Sequence, residues 1–299
     1  MQKLFGAIEA GGTKCNCAVV DETYSIVKEL RIPTTTPAET LAAISEFFKA
    51  HQVSAIGVSS FGPLDLNPQS PSFGFITCTP KLAWRDTDIL APLREFKVPL
   101  AIDTDVNGAA LGEHTCGAAR GLDTFVYFTI GTGIGGGGMC GGKLMHGLTH
   151  PEMGHIFIPH DTKRDPFPGC CPSHGDCFEG LASGPALEKR WGRDPSLIPA
   201  NDKAWSLQAH YIALAVVNTV LTLSPQRVIL GGGVMQNEFL FPMIRAHVRQ
   251  LLNGYIRHSS LLEAIDTFIV APKLGNRAGV IGAAAMAQQA IAMCKSPSQ

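Results

Sequence analysis

Hydrophobic and polar positions alternate along the first sixty residues in a way that predicts three strands, a helix and a fourth strand. LFGAIEA (4–10) and CNCAVVD (15–21) are short apolar runs on either side of Gly11-Gly12-Thr13-Lys14. A strand, a tight glycine turn and a strand make a hairpin with GGTK at its tip. SIVKELRIPT (25–34) predicts a third strand. From Pro37 to Gln52 the apolar period becomes helical through Leu41, Ile44, Phe47 and Phe48. Thr36 is placed to cap that helix, Pro37 fits its first turn, and Glu39 follows Thr36 at capping-box spacing. VSAIGVSS (53–60) reads as a buried strand leading into FGPLD (61–65), and 66–97 as irregular chain anchored by Phe75 and Trp84. VPLAI is a strand, and TDVNGAALGEH after it starts a helix with Thr104 or Asp105 near the cap.

The pattern then begins again. FVYFTI and GIGGGGMC, within 123–145, predict a second hairpin with Gly131-Thr132-Gly133 at its tip. Two strand–Gly-Thr-turn–strand units imply an internal duplication, with its boundary near 115–122. Hairpins facing each other across a cleft could hold a polyphosphate between them. Further on, 182–192 looks like a helix entry, and 203–225 is a long apolar helix ending at Pro225. RVILGGGVMQN (227–237) reads as a buried strand running into Gly231-Gly232-Gly233 at a helix start. Another helix begins at Phe239, DTFIVAPKLG (266–275) reads as a strand, and 276–294 is a final helix of small residues suited to close packing.

Composition narrows the class. A chain of 299 residues buries one large core or two moderate ones. A net charge of −1 offers no field for nucleic acid or an anionic membrane. No apolar run reads as long enough to span a bilayer, and MQKLFGAIEAGG lacks a signal-peptide pattern. Nine cysteines in a chain of this length do not make a disulfide framework; thiols and a metal in a reducing cytoplasm are expected instead.

The densest chemistry lies in 149–185. His155, Cys171, His174 and Cys177 supply two thiolates and two imidazoles, a donor set suited to tetrahedral Zn²⁺, with Cys170 an adjacent rival for the first thiolate. Four protein ligands close a site, so the metal is expected to brace a platform rather than perform chemistry. Glu152 and Glu179 beside it are the acids to ask about. GGTK offers backbone N–H groups, a hydroxyl and an ammonium to a phosphate, or is simply a hairpin turn. Asp105 sits at the C-terminal end of a strand, where α/β sheets bind ligands, or only caps its helix. The Gly231–Gly233 turn lets a nucleoside lie against bare backbone, or serves close packing.

EAGGTK, DTDVNGAALGE, FVYFTIGTGIGGG, PEMGHI, CPSHGDCFEGLASGPA and VILGGGV, in that order over nearly the full length, resemble the ROK family of sugar kinases, most closely its bacterial fructokinase branch. The resemblance implies the α/β actin-like ATPase (ribonuclease-H-like) fold: two similar domains with a cleft between them. The first would span 1–117 plus 278–299, with the last helix packing back, and the second 118–277 with the zinc insert. It also implies ATP- and Mg²⁺-dependent phosphorylation of a hexose, a structural zinc and a homodimer. Carried over by position, Asp105 would be the catalytic base. Gly11, Gly12, Thr13, Lys14, Thr132 and Gly133 would contact phosphates, and Pro185, Gly231, Gly232 and Gly233 the nucleoside. Gly62, Asn107, Glu152, His155 and Glu179 would lie at or beside the sugar. His155, Cys171, His174 and Cys177 would hold zinc. The family's usual Asp before the first turn is Glu9 here, which leaves its Mg²⁺ contact open, and a usual third Cys is His174; both point to the fructokinase branch. The alternatives are a kinase of glucose, mannose or an N-acetyl sugar, a sugar-responsive regulator, and a zinc-stabilised binding module. A regulator needs an added DNA-binding segment and a basic surface. A binding module leaves Asp105 and the doubled turns unexplained.

Overall fold

The computed structural model describes residues 3–295, and the chain divides into two compact units. The first unit takes residues 1–120, 145–150 and 274–299; the second takes 121–144 and 151–273.

In the first unit the predicted hairpin forms. Strands β1 (Leu4–Ala10) and β2 (Lys14–Asp21) pair antiparallel, and β3 (Ile26–Pro33) continues the sheet on the outer side of β2. Helix α1 (Pro37–Lys49) has Thr36 as its N-cap, with Oγ1 accepting the Glu39 N–H. The Glu39 carboxylate takes the Thr35 hydroxyl at 2.7 Å. The helix ends three residues before Gln52, because Ala50 caps it and the His51 ring meets the Phe47 carbonyl at 2.7 Å. β4 (Ile56–Ser60) lies parallel to β1. A two-residue ribbon, β5 (Phe75–Ile76) with β6 (Thr87–Asp88), gives some order to the region expected to be irregular. Trp84 there is buried and donates Nε1–H to the Thr35 carbonyl, so it is the anchor; Phe75 is only half-buried. β7 (Leu100–Thr104) completes a sheet of order β3-β2-β1-β4-β7, and α2 (Asp105–Cys116) follows at once.

The second unit repeats this plan. β8 (Phe125–Ile130), β9 (Ile134–Cys140) and β10 (Lys143–Leu144) form an antiparallel meander. Helices α3 (Phe178–Ala182), α4 (Gly184–Trp191) and α5 (Lys203–Leu223) precede β11 (Val228–Gly231), which runs parallel to β8. After α6 (Leu240–Leu252), α7 (Ser259–Leu262) and α8 (Ile265–Phe268) comes β12 (Ile269–Val270), parallel to β11. The order β10-β9-β8-β11-β12 reproduces the first sheet strand for strand, including which pairs are parallel, and so carries the duplication seen in the two Gly-Thr turns. The stretch 266–275 departs from the single strand its pattern suggested. Its first residues form α8, and β12 stops at Val270 because Pro272 has no N–H to continue a ladder.

Helix α5 corrects another expectation. It is long and apolar enough to cross a bilayer, yet most of it is buried within the unit. Gln208 on its inner side is fully buried with its amide on the Ala182 carbonyl, as in a core helix.

The last described helix, α9 (Ala278–Lys295), returns to the first unit and lies against α2, β1 and β4. Small residues allow that approach. A Cβ on Gly57 would strike the Ala283 carbonyl, one on Gly112 the Ala278 carbonyl, and one on Gly282 the Gly108 carbonyl.

Candidate active site and metal centre

In the first unit the GGTK turn is closed by Gly11 N–H to Lys14 O (2.9 Å) and braced from β3 by the Thr34 hydroxyl on Gly11 O (2.8 Å). Thr13 is exposed at the tip and Lys14 half-exposed. Lys81 was not singled out from sequence. It stands beside this tip, its Cε 3.4 Å from where a Gly12 Cβ would lie. The preceding Thr79 and the buried Trp84 fix its turn. Lone lysines in irregular chain carry no sequence signal. Glu9, on the strand entering the turn, accepts the Asn16 amide at 2.7 Å. Desolvation pushes its carboxyl above the usual range, against the opposing pull of Asn16 and Lys14.

Thr104 caps α2, with Oγ1 accepting the Asn107 N–H at 3.1 Å. Asp105 is therefore not the cap. It is the first helical residue, half-exposed, with Oδ1 on the Val106 N–H. Asn107 is completely buried, and its amide bonds Asp103 at 3.0 Å. Gly62 precedes a cis Pro63, and a Cβ there would lie 3.7 Å from His150 Nε2, which accepts the Leu64 N–H.

In the second unit the Gly131–Gly133 tip closes by Gly131 N–H to Gly133 O (2.9 Å), leaving Thr132 exposed. The start of α4 docks on it, with Gly184 N–H on Gly131 O at 2.7 Å and Pro185 in the first turn. The Gly231–Gly233 turn adjoins the same tip, since a Cβ on Gly131 would lie 3.6 Å from Gly233 N. Gly232, at φ +91°, passes so close to the Ile130 backbone that no side chain fits, whereas Gly233 faces open space. That turn leads into a short 3-10 turn at Val234–Gln236 rather than straight into a helix. The fold thus gathers Thr132, Gly133, Pro185 and Gly231–Gly233 at one end of the second sheet.

His155, Cys171, His174 and Cys177 converge, with their ligand atoms all within 4.8 Å of one another. His155 Nδ1 lies 3.7 Å from Cys171 Sγ and 3.5 Å from Cys177 Sγ, and His174 Nδ1 lies 3.7 Å from Cys171 Sγ. A tetrahedral Zn²⁺ with ordinary bond lengths sets sulfur and nitrogen about 3.6 Å apart, so the four donors fit that ion. Cys170 lies outside the group. Burial, with Cys171 adding to it, pushes the Cys177 thiol up to about 11 when no cation offsets it. Because His155 turns Nδ1 inward, its Nε2 lies on the other side of the ring. Glu152 is exposed just before it. Glu179, in the first turn of α3, accepts the Ile134 N–H at the hairpin tip (2.9 Å).

The loop carrying the donors is also held by hydrogen bonds of its own. Asp165, buried, accepts the Tyr211 hydroxyl at 2.6 Å and Arg190 Nε at 3.1 Å. His160 joins Asp176 to the Asp165 carbonyl. Burial, reinforced by the Asp165 hydrogen bond, pushes the Tyr211 phenol up. None of these residues forms a recognisable spacing in the sequence.

The ROK family pattern matches residues 5–290. The chain belongs to the ROK family. It is similar to a fructokinase of Zymomonas mobilis, 46% identical over 296 residues and covering 96% of this chain and 97% of that one. It is similar to a fructokinase of Pediococcus pentosaceus, at 44% identity over 96% of this chain and 99% of the other. Among solved structures it is similar to a ROK family glucokinase of Streptomyces griseus in complex with glucose and AMPPNP, with a TM-score of 0.76, 26% identity, and coverage of 96% and 99% of the two chains. The fold is accordingly that of the actin-like ATPases, each unit carrying one copy of the repeated sheet.

Proposed function

We propose that this ROK protein is a fructokinase that transfers the γ-phosphoryl group of ATP to D-fructose, giving fructose 6-phosphate. The observation that carries the reading is its near-full-length kinship, at 46% identity, with a fructokinase. In the proposed reaction Asp105 accepts the sugar hydroxyl's proton as that oxygen attacks the γ-phosphorus and the β–γ bridging oxygen leaves with ADP. Thr13 and Lys14, with Thr132 and Gly133, hold the phosphates, and Lys81 adds positive charge beside the first turn. Phosphoryl transfer asks mainly for positioning and charge stabilisation, which such groups supply. Pro185 and Gly231–Gly233 take the nucleoside. Gly62 and Asn107 of the first unit, and Glu152, His155 Nε2 and Glu179 of the second, are the groups assigned to the sugar.

Glu9, at the end of β1, is the carboxylate we assign to Mg²⁺, which when bound would neutralise phosphate charge. His155, Cys171, His174 and Cys177 hold Zn²⁺ as a structural ion. Eight free cysteines among the described residues suit a reducing compartment, so the cytoplasm is the proposed setting.

The test is ADP release measured with fructose, glucose, mannose and N-acetylglucosamine, with and without chelator. Fructose should give a kcat/KM at least about tenfold above the others, as expected where a site pairs specific hydroxyls, and chelation of Mg²⁺ should stop turnover. Higher efficiency on glucose, or no sugar-dependent ADP release, would overturn the reading.

A further inference from the structure

The six residues 145–150 belong to the first unit although the chain on both sides belongs to the second. They return to the first unit beside the turn that carries Asp105. Asp103, the penultimate residue of β7, is buried at 4% exposure. Three donors converge on its carboxylate: Thr104 N–H at 2.7 Å, Asn107 Nδ2 at 3.0 Å and His146 Nε2 at 2.8 Å. Two of them come from the β7–α2 turn itself. His146 comes from outside it.

The same short segment reaches the other side of Asp105, since Met145 O lies 3.4 Å from Asn107 Nδ2. Asp103 and Asn107 flank Asp105 at two residues on either side, and residues 145 and 146 hold both. The histidine side chain is 41% exposed, so its removal opens no core cavity. An exposed imidazole that donates to a buried carboxylate makes a stronger hydrogen bond than a neutral pair does, and replacing it leaves the carboxylate short of a donor.

We infer that His146 is a positioning residue for the phosphoryl transfer: through Asp103 and Asn107 it fixes the turn from which Asp105 reaches the sugar hydroxyl. This rests on Asp105 as the base. His146 itself touches neither reacting oxygen nor phosphate in this assignment, and its effect passes through the two flanking residues.

A displacement of about 1 Å at a reacting group costs as much as a hundredfold in rate. Sugar-dependent turnover of His146→Ala should therefore fall about 10- to 100-fold in kcat, with the KM for ATP within about twofold of the parent. His146→Gln, whose amide nitrogen reaches similarly far, should return kcat to within about threefold. In an Asp103→Asn background, adding His146→Ala should change kcat by less than about twofold, because the two act as one unit. Melting temperatures recorded alongside show that each variant is folded. The inference is overturned if His146→Ala keeps parental kcat, if Gln is as poor as Ala, or if the Asp103 and His146 effects multiply independently. Asp105→Asn is assayed in parallel. Parental turnover there removes the base assignment, whereas a dead Asp105→Asn beside a silent His146→Ala removes only the clamp.

Discussion

The Glu179 carboxylate accepts the Ile134 backbone N–H at 2.9 Å, so the helix that begins right after Cys177 is tied directly to the Gly131–Gly133 tip. The segment that carries Cys171, His174 and Cys177 and the Gly131–Gly133 hairpin are in this way one mechanical piece. Glu179→Ala should weaken ATP binding about three- to tenfold, the range expected for a lost charged hydrogen bond to backbone on a partly exposed turn. Glu179→Gln, which retains an acceptor oxygen, should keep nucleotide affinity closer to the parent while losing sugar turnover. Isothermal titration with ATP or AMPPNP measures the first, and ADP release the second. Unchanged nucleotide affinity in Glu179→Ala would break the link.

Asp105 begins α2 without capping it, and its carboxylate is half-exposed. Asp105→Asn should lower kcat by about 10²–10⁴, the usual contribution of a positioned base. Its ATP dissociation constant should stay within about twofold, since no nucleotide contact is assigned to it. Single-turnover kinetics with fructose separates the two effects.

The purified protein should carry about one zinc per chain, because four ligands close one site. Cys177→Ser should lose the metal, seen by elemental analysis, together with most sugar turnover. A zinc-free Cys177→Ser protein with parental kcat and KM would reduce the ion to a bystander.

Glu9 presents a trade between stability and function. Its carboxyl is raised by desolvation, so ionising it opposes folding. A folded-state value above the unfolded one means that its favourable contribution is complete below the unfolded value and is lost as pH rises through the folded one. Glu9→Gln should therefore melt higher than the parent at pH 7–8, and this gain should vanish toward pH 4. The same variant should be impaired in Mg²⁺-dependent turnover. A gain that grows on acidification would contradict the burial argument.

The α2–α9 crossing depends on bare backbone. A Cβ at Gly282 has the Gly108 carbonyl in its way. Gly282→Ala should cost about 1–3 kcal/mol from overpacking, while Gln289→Ala, at an exposed position on the same helix, should stay within about 0.5 kcal/mol. Urea unfolding curves compare them.

Much of this site can be read from the chain because its parts are local. GGTK, Gly131-Thr132-Gly133 and the Cys and His residues of the metal loop each announce themselves within a short window. The repeated turns pointed to the repeated sheets, whose matching strand order required coordinates. Asp105 was ambiguous in sequence because Thr104 is an equally good cap, and only the Thr104 Oγ1–Asn107 N–H bond decides between them. Lys81, His146 and the Asp165–Tyr211–Arg190 cluster were invisible for the opposite reason. Each meets a residue far away in sequence, and Lys81, His146 and Asp165 stand in irregular chain, which has no periodicity to reveal where it returns. The 266–275 stretch misled because an apolar run of that length suits a strand or a helical turn equally until Pro272 ends the ladder.

The return of α9 to the first sheet has a consequence during synthesis. The surface of β4 and α2 that bears Gly57, Gly108 and Gly112 is complete by residue 120, but its covering helix begins only at Ala278. At the ribosome's pace of roughly 5–20 residues per second this leaves on the order of 10–30 s in which the nascent first half carries an uncovered groove. The groove is floored by glycine and suited to any passing helix of small side chains. Chaperone occupancy should therefore concentrate on partly made chains and fall away once that closing helix emerges.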